Sequence, residues 1–324
     1  MGRFAVRELL EHGHEVTVFN RGRTGYPLPA EAQWIEGDRF QITAQRTLLR
    51  ALRPDVVVDM MAIGGEDTSA VMDVFRDRAP RMVTIGSQDV YLAYGVCVGI
   101  EDAHIQSVPV TEFSSLRTRH YMYKGRADGM ETYEKIMVER VVLADPAIRG
   151  TILRMPMVYG PGDYQHRFYQ YIKPMADGRE VLLIGAELAD WRSSYGYVED
   201  MAHAIVLAVE NEKSAGRIYN VGIRHSIEVL RLVRELGRLM RFTGRIVQVP
   251  RNVAEFKPHG LNVDQHLDVD SSLIRMELGY SEPTTWEEGL RRTIEWELAN
   301  PPPVDIAQTY AKEDELMERL RLLG

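Results

Sequence analysis

Apolar residues follow two rhythms through the first 160 residues, one helical and one of period two, and their alternation predicts an α/β chain. Arg3 to His12 carries Phe4, Val6, Leu9 and Leu10 at helical spacing, and Gly13 follows as a left-handed stop. The strand Glu15 to Asn20 comes directly after it. A weak strand at Gln33 to Glu36, a helix from Ile42 to Arg53 ended by Pro54, and a strand from Asp55 to Ala62 continue the alternation. Because Asp55 to Ala62 is apolar on both faces, it is expected to be a central, fully buried strand of a parallel sheet. Glu66 to Arg78 reads as helix, Arg81 to Gly86 as strand, Tyr133 to Ala144 as helix and Thr151 to Met155 as strand. Residues 94–130 lack a clean period and read as a long loop with helical pieces.

Past Pro156 to Gly162, a turn-rich exit, the pattern turns to α+β. Helices are expected near Phe168 to Ala176, Asp200 to Asn211 and Ser226 to Met240, with strands at Glu180 to Ile184, Arg217 to Val221 and Arg245 to Val249. Asp270 is positioned to cap a helix ended by Gly279, and Thr285-x-x-Glu288 is a capping box. The charged tail after Pro301 to Pro303 reads as a loosely docked helix.

The opening helix running into a strand is the second half of a βαβ unit, in which a first strand and a glycine-rich turn precede the helix. Gly2 stands where the last glycine of that turn belongs. Two readings compete: the protein lacks this strand and turn, or the start was assigned at an internal methionine. The second is preferred, since a parallel sheet without a central strand leaves backbone polar groups unpaired.

Composition narrows the partners. A formal charge of -8 disfavours a nucleic-acid backbone or an anionic membrane as main partner. No run approaches the length of a membrane span. The single cysteine, Cys97, excludes an intramolecular disulfide and a cysteine-based metal site, which fits a reducing cytoplasm. The nine histidines show no ligand spacing beyond His12-x-His14, and no metal site is expected.

Ser87 falls at the carboxyl end of its strand, where open α/β sheets place ligands. Asn20 and Arg21 end the second strand of the unit, where an acidic residue holds the ribose of NAD and an Arg can instead meet the 2′-phosphate of NADP, or stand as a solvated side chain of a turn. Asp38 is a candidate acceptor for an adenine amine, or a turn aspartate. Val16 to Gly22, Gly37-Asp38, Gly86-Ser-Gln-Asp-Val-Tyr91, Leu153 to Gly162, Tyr197-Val-x-Asp200 and Tyr219-Asn-Val-Gly222 occur in an order that resembles the extended or atypical short-chain dehydrogenase/reductases, in the NAD-dependent epimerase/dehydratase family. The resemblance runs to about residue 298 and rests on the ordered set rather than on any one motif.

What the resemblance implies is a Rossmann-like doubly wound parallel sheet in residues 1–160, N-terminally truncated, an interleaved smaller α+β substrate lobe in 161–303, and a tail in 304–324. It implies NAD or NADP, with Arg21 leaning to NADP, a small-molecule substrate, no nucleic acid and no membrane, and a homodimer of the kind many relatives form. It implies hydride transfer to or from a sugar-like or nucleotide-sugar-like alcohol; the alternative is a non-catalytic NAD(P)- or metabolite-binding protein with a degenerate site. Relatives use a serine to orient the substrate oxygen, and a lysine that lowers the pKa of a proton-moving tyrosine. Ser87 and Lys135 match. The tyrosine of Tyr-x-x-x-Lys does not, because Glu131 stands there. Tyr133 is the first substitute, able to reach the site if the helix starts after it; Tyr121 and Tyr123 are others. The literal Tyr169-x-x-x-Lys173 lies in the substrate lobe and reads as an ordinary helix, while Lys135 alone reads as an i,i+4 partner of Glu139. By resemblance Met61 and Ala62 lie beside the nicotinamide ribose, Pro156 to Val158 along the nicotinamide, and Arg192 at a substrate phosphate or carboxylate.

Overall fold

Short β-branched strands and amphipathic helices alternate along the chain of the computed structural model, which describes residues 1–23, 25–125, 129–253, 260–303, 306 and 310–322. The first half comprises α1 (Gly2–Glu11), β1 (Thr17–Asn20), β2 (Gln33–Glu36), α2 (Arg46–Leu52), β3 (Val56–Asp59), α3 (Gly65–Phe75), β4 (Arg81–Ser87), α4 (Leu92–Cys97), α5 (Lys135–Ala144) and β5 (Arg149–Met155). Next come β6 (Met157–Tyr159), α6 (Tyr169–Ala176), β7 (Val181–Gly185), α7 (Ala186–Ala189), β8 (Arg192–Ser193), β9 (Tyr195–Tyr197) and α8 (Val198–Glu210). β10 (Ile218–Asn220), β11 (Ile227–Glu228), α9 (Val229–Leu239), β12 (Arg245–Val249), α10 (Ser272–Leu278), α11 (Trp286–Ala299) and α12 (Tyr310–Leu322) complete it.

The main sheet is parallel throughout, in the order β10-β5-β4-β3, and the pairs β1-β2 and β7-β12 are parallel as well. This is the parallel α/β architecture that the alternation predicts, and the Rossmann-like fold that the resemblance implies. β4 and β5 are buried almost end to end. Val83, Leu153, Ile205 and Tyr219 lie fully inside one core between this sheet, α8 and the second half of the chain. Burial of each such side chain contributes roughly 1.5–3 kcal/mol.

Two glycines let the site elements approach. A Cβ at Gly86 would stand 2.8 Å from Ile152 Cγ2 and 3.3 Å from the Leu153 carbonyl, so β4 closes on β5 just before Ser87. A Cβ at Gly150 would meet Val142 at 2.2 Å, so α5 lies directly on β5. The pairing is locked by a buried fork from Arg154 to both oxygens of Glu139, at 2.8 and 2.7 Å.

Three expectations need correction. The strand read as central and fully buried is an edge: β3 pairs only with β4 among the described strands, and Val56, Val57 and Val58 are half-buried. Its apolar faces lack a neighbour on one side, since β1 pairs only with β2 there. The helix read from Tyr133 begins at Lys135, because the side chain of Glu134 caps it by accepting from the Ile136 N–H at 3.1 Å. Part of the turn-rich exit, Met157–Tyr159, is a strand paired with β9. In the tail, α12 docks Leu316 against Val181, Leu183 and Val249, and Arg179 pairs with Asp314.

Candidate active site

Ser87 is the last residue of β4, and its Oγ accepts from the Asp89 N–H at 3.2 Å, turning the chain at the carboxyl edge of the sheet. Asp89 is buried, and its Oδ2 accepts the phenolic proton of Tyr133 at 2.5 Å. The other oxygen, Oδ1, is buried with no protein partner among the described residues. Burial pushes the Asp89 carboxyl above its ordinary range despite Tyr133, Arg117 and Lys135 nearby.

Lys135 opens α5 and is buried. Its ammonium donates to the carbonyls of Ala62 and Ile85, the latter at 2.9 Å, and lies 5.7 Å from the centre of the Tyr133 ring. Burial lowers its pKa. The surface pairing with Glu139 is overturned, since Glu139 is committed to Arg154. The expected lowering of the tyrosine pKa is corrected too. Burial first, and then the Asp89 carboxylate, push the Tyr133 phenol far above its ordinary value. Glu131, at the position of the family tyrosine, is exposed.

Tyr133 reaches the site because two residues sequence reasoning passed over hold it there. Glu134 has an extended backbone, φ -159° and ψ 94°, and its N–H donates to the Ile63 carbonyl at 2.9 Å. Arg117 grips Glu134 through both guanidinium nitrogens at 2.9 and 2.7 Å, and donates through Nε to the Asp89 carbonyl at 2.9 Å. Burial alone would raise the Glu134 carboxyl, but the Arg117 fork holds it below its ordinary value. Arg117 lies in the stretch without periodicity, where no sequence signal marked it. Asp89 sits inside the Gly86 to Tyr91 motif and was open to reading as a third polar group beside Ser87.

The other tyrosines take different places. Tyr123 packs edge-on against Tyr133 with ring centres 5.2 Å apart, and its hydroxyl lies 3.3 Å from that of Tyr94. Tyr121 is exposed, with its N–H on Glu134 at 2.6 Å. Tyr169 and Lys173 lie in α6, where Lys173 pairs with Asp177, as expected of an ordinary helix.

Residues expected at a cofactor line the carboxyl ends of the parallel strands. Asn20 Oδ1 accepts from the Gly22 N–H at 2.8 Å and the Trp34 indole at 3.2 Å. Arg21 stands 3.8 Å from Asp38, which also caps the turn after it through the Phe40 N–H. Gly2 starts α1, which has no side-chain cap, and a Cβ there would touch nothing closer than Met60 at 3.9 Å. Met61 is exposed and Ala62 fully buried. The loop holding them is fixed by Arg39, missed in the sequence, which forks onto Asp59 and also grips Asp67. Pro156 and Val158 are half-buried, and the Val158 carbonyl accepts from Arg167 at 2.7 Å. Arg192 is not gathered with these residues. It pairs with Glu228 at 2.6 Å in a cavity of about 340 Å³ that Asp190, His266 and Asp268 also line. Among the described residues no cluster of His, Cys, Asp or Glu is arranged for a metal, and no helix is long and apolar enough to cross a membrane.

The NAD dependent epimerase/dehydratase family matches residues 1–96 and 124–222. A trifunctional UDP-glucose 4,6-dehydratase/UDP-4-keto-6-deoxy-D-glucose 3,5-epimerase/UDP-4-keto-L-rhamnose-reductase of Arabidopsis thaliana is 29% identical over 144 residues, 44% of this chain and 20% of that one. A dTDP-D-glucose 4,6-dehydratase of Mus musculus is 29% identical over 152 residues, 46% of this chain and 41% of that one. These matches therefore span less than half the length of either relative. A UDP-Glc/GlcNAc 4-epimerase of Campylobacter jejuni shares the fold at TM-score 0.70 and 17% identity, over 92% of this chain and 96% of that one.

Proposed function

The chain belongs to the NAD-dependent epimerase/dehydratase family, and from that premise we propose that it is an oxidoreductase, epimerase or dehydratase acting on a sugar-like or nucleotide-sugar-like alcohol. NAD(P) is the family's cofactor. The residues present fit it: the uncapped start of α1 is open to close approach at Gly2, as an anion requires, and Asn20, Arg21 and Asp38 sit at the strand ends nearest the expected adenosine. Met61, Ala62, Pro156 and Val158 would flank the other end. When bound, the nicotinamide supplies hydride exchange with the substrate carbon.

The protein's own part is proton movement. Ser87 orients the substrate oxygen; as a substrate hydroxyl gives its proton to Tyr133 Oη, Tyr133 passes its own to Asp89. In reverse, the protonated phenol donates to a carbonyl oxygen. Lys135, donating to the Ala62 and Ile85 carbonyls beside this exchange, would face the ribose. The observation that carries the reading is the 2.5 Å bond from Tyr133 to Asp89 beside Ser87, formed although Tyr133 stands two residues before Lys135 and not four. Its test is turnover of UDP- and dTDP-hexoses by the wild type and Tyr133→Phe, following nicotinamide reduction and sugar products. Loss of turnover in the variant is expected; equal rates would sink the assignment.

A second reading, binding without turnover, is favoured by one observation: Lys135 and Tyr133 already have partners inside the protein, two carbonyls for the ammonium and the Asp89 carboxylate for the phenol. NAD(P) binding with no turnover of any tested sugar would select it. We assign NADP over NAD on Arg21, Arg192 to a substrate anion, a homodimer by family analogy, and a cytoplasmic setting on the lone buried Cys97.

A further inference from the structure

Three features of the molecule stand beside that reading. Among the described residues the cavity at Arg192 has no buried, unpartnered polar group aimed into it. The pair His166 and Glu297, 2.7 Å apart, joins α11 to the turn after β6 but touches no site residue. The third is the Arg117–Glu134 pair, which touches both halves of the proton-moving unit.

We propose that the buried Arg117–Glu134 pair is a positioning unit that sets Tyr133 against Asp89, replacing the helix register that four-residue spacing would supply. This rests on Tyr133 being the proton-moving group. In a regular helix a residue two positions from Lys135 points to another side. Here the helix is delayed. Glu134 spends one oxygen on the Ile136 N–H and the other on the Tyr121 N–H, at 3.1 and 2.6 Å, which stops α5 at Lys135 and leaves Tyr133 outside it.

Arg117 fixes where the freed tyrosine lands. Its side chain and that of Glu134 are both fully buried, and its backbone N–H donates to the Val90 carbonyl at 2.8 Å. One guanidinium therefore spans the residue after Tyr133 and the main chain of Asp89, the residue that accepts the phenol. The remaining bond, to the Arg119 carbonyl at 2.6 Å, ties in the loop before Tyr121. Only a planar fork makes these bonds at once, so a lysine cannot replace it.

The groups facing the Tyr133 phenol are Asp89, Ser87, Lys135 and Tyr123, with Tyr94 beyond. The experiment reads that phenol directly: Tyr 13Cζ resonances of the full chain are followed from about pH 7 to about pH 11, with Tyr133→Phe identifying the signal. In the wild type the signal stays in its protonated form throughout. In Arg117→Lys it is expected to ionise with an affinity for its proton at least tenfold weaker. Glu134→Gln, which keeps volume and the cap acceptor, gives the same shift if Arg117→Lys does not fold. Glu139→Gln breaks a comparable buried fork on the same helix and is expected to leave the signal unmoved, whereas a merely structural loss would move it in this variant as well. A wild-type signal that ionises in the ordinary range, or one unmoved in both pair variants, overturns the proposal. Turnover does not enter this readout, so inactive Arg117→Lys with an unmoved phenol and active Tyr133→Phe fail different claims.

Discussion

The two ends of the candidate cofactor site are built on opposite terms. At the inner end Asp89, Tyr133 and Lys135 are buried, the phenol on the Asp89 carboxylate, the ammonium on two carbonyls and the Asp89 main chain on Arg117, with Ser87 beside them. At the outer end, Asn20 and Arg21 lie exposed on a two-stranded pair that shares no strand with the main sheet. Groups that move protons need fixed distances, and a buried, over-determined network supplies them. Groups that grip a nucleotide's edge act through charge at a wet surface, where position matters less.

That contrast breaks most easily at the inner end. Lys135→Ala is expected to lower turnover about 10²–10⁴-fold, the usual scale for a positioned acid–base group and its support, measured with the sugar substrates above; a rate within a factor of two would show that the inner end carries no chemistry. Next in size, Arg154→Ala should lose about 3–5 kcal/mol in urea unfolding, since Glu139 is left as an uncompensated buried charge. A loss below about 1 kcal/mol would mean that β5 and α5 hold together without the fork.

Two carboxylates around Arg117 sharpen the comparison through pH. Asp89 is raised in the folded state, so between its ordinary pKa and its folded one the native protein binds the extra proton and stability falls as pH rises. Glu134 is lowered, so its contribution is present above its ordinary pKa and is lost as pH falls through the folded one. Asp89→Asn should therefore flatten the loss of melting temperature above about pH 4, and Glu134→Gln the loss at acid pH. The smallest effect belongs to the outer end. Arg21→Ala should change stability by no more than about 0.5 kcal/mol, yet weaken NADP roughly tenfold while sparing NAD; equal weakening of both would remove Arg21 from 2′-phosphate recognition.

Periodicity made the α/β class, the order of its elements and the cap at Thr285 legible, because burial of alternating faces writes itself into sequence; the Thr285 Oγ does accept from the Glu288 N–H at 3.3 Å. It misplaced β3 for a physical reason. Three valines in a row report that a strand can be buried on both faces, and not that a neighbour stands on each side. Lys135 and Ser87 were visible through matching motifs, and Tyr133 only as a conditional candidate. Its fate hung on the first residue of α5, which Glu134 decides with a long-range partner at position 117. Long-range partners leave no local period, so Arg117 and Arg39 stayed hidden.

The lone flank of β3 has a consequence for handling. Its half-buried valines run beside backbone donors and acceptors that no described strand uses, and such an edge is adhesive toward any other extended chain.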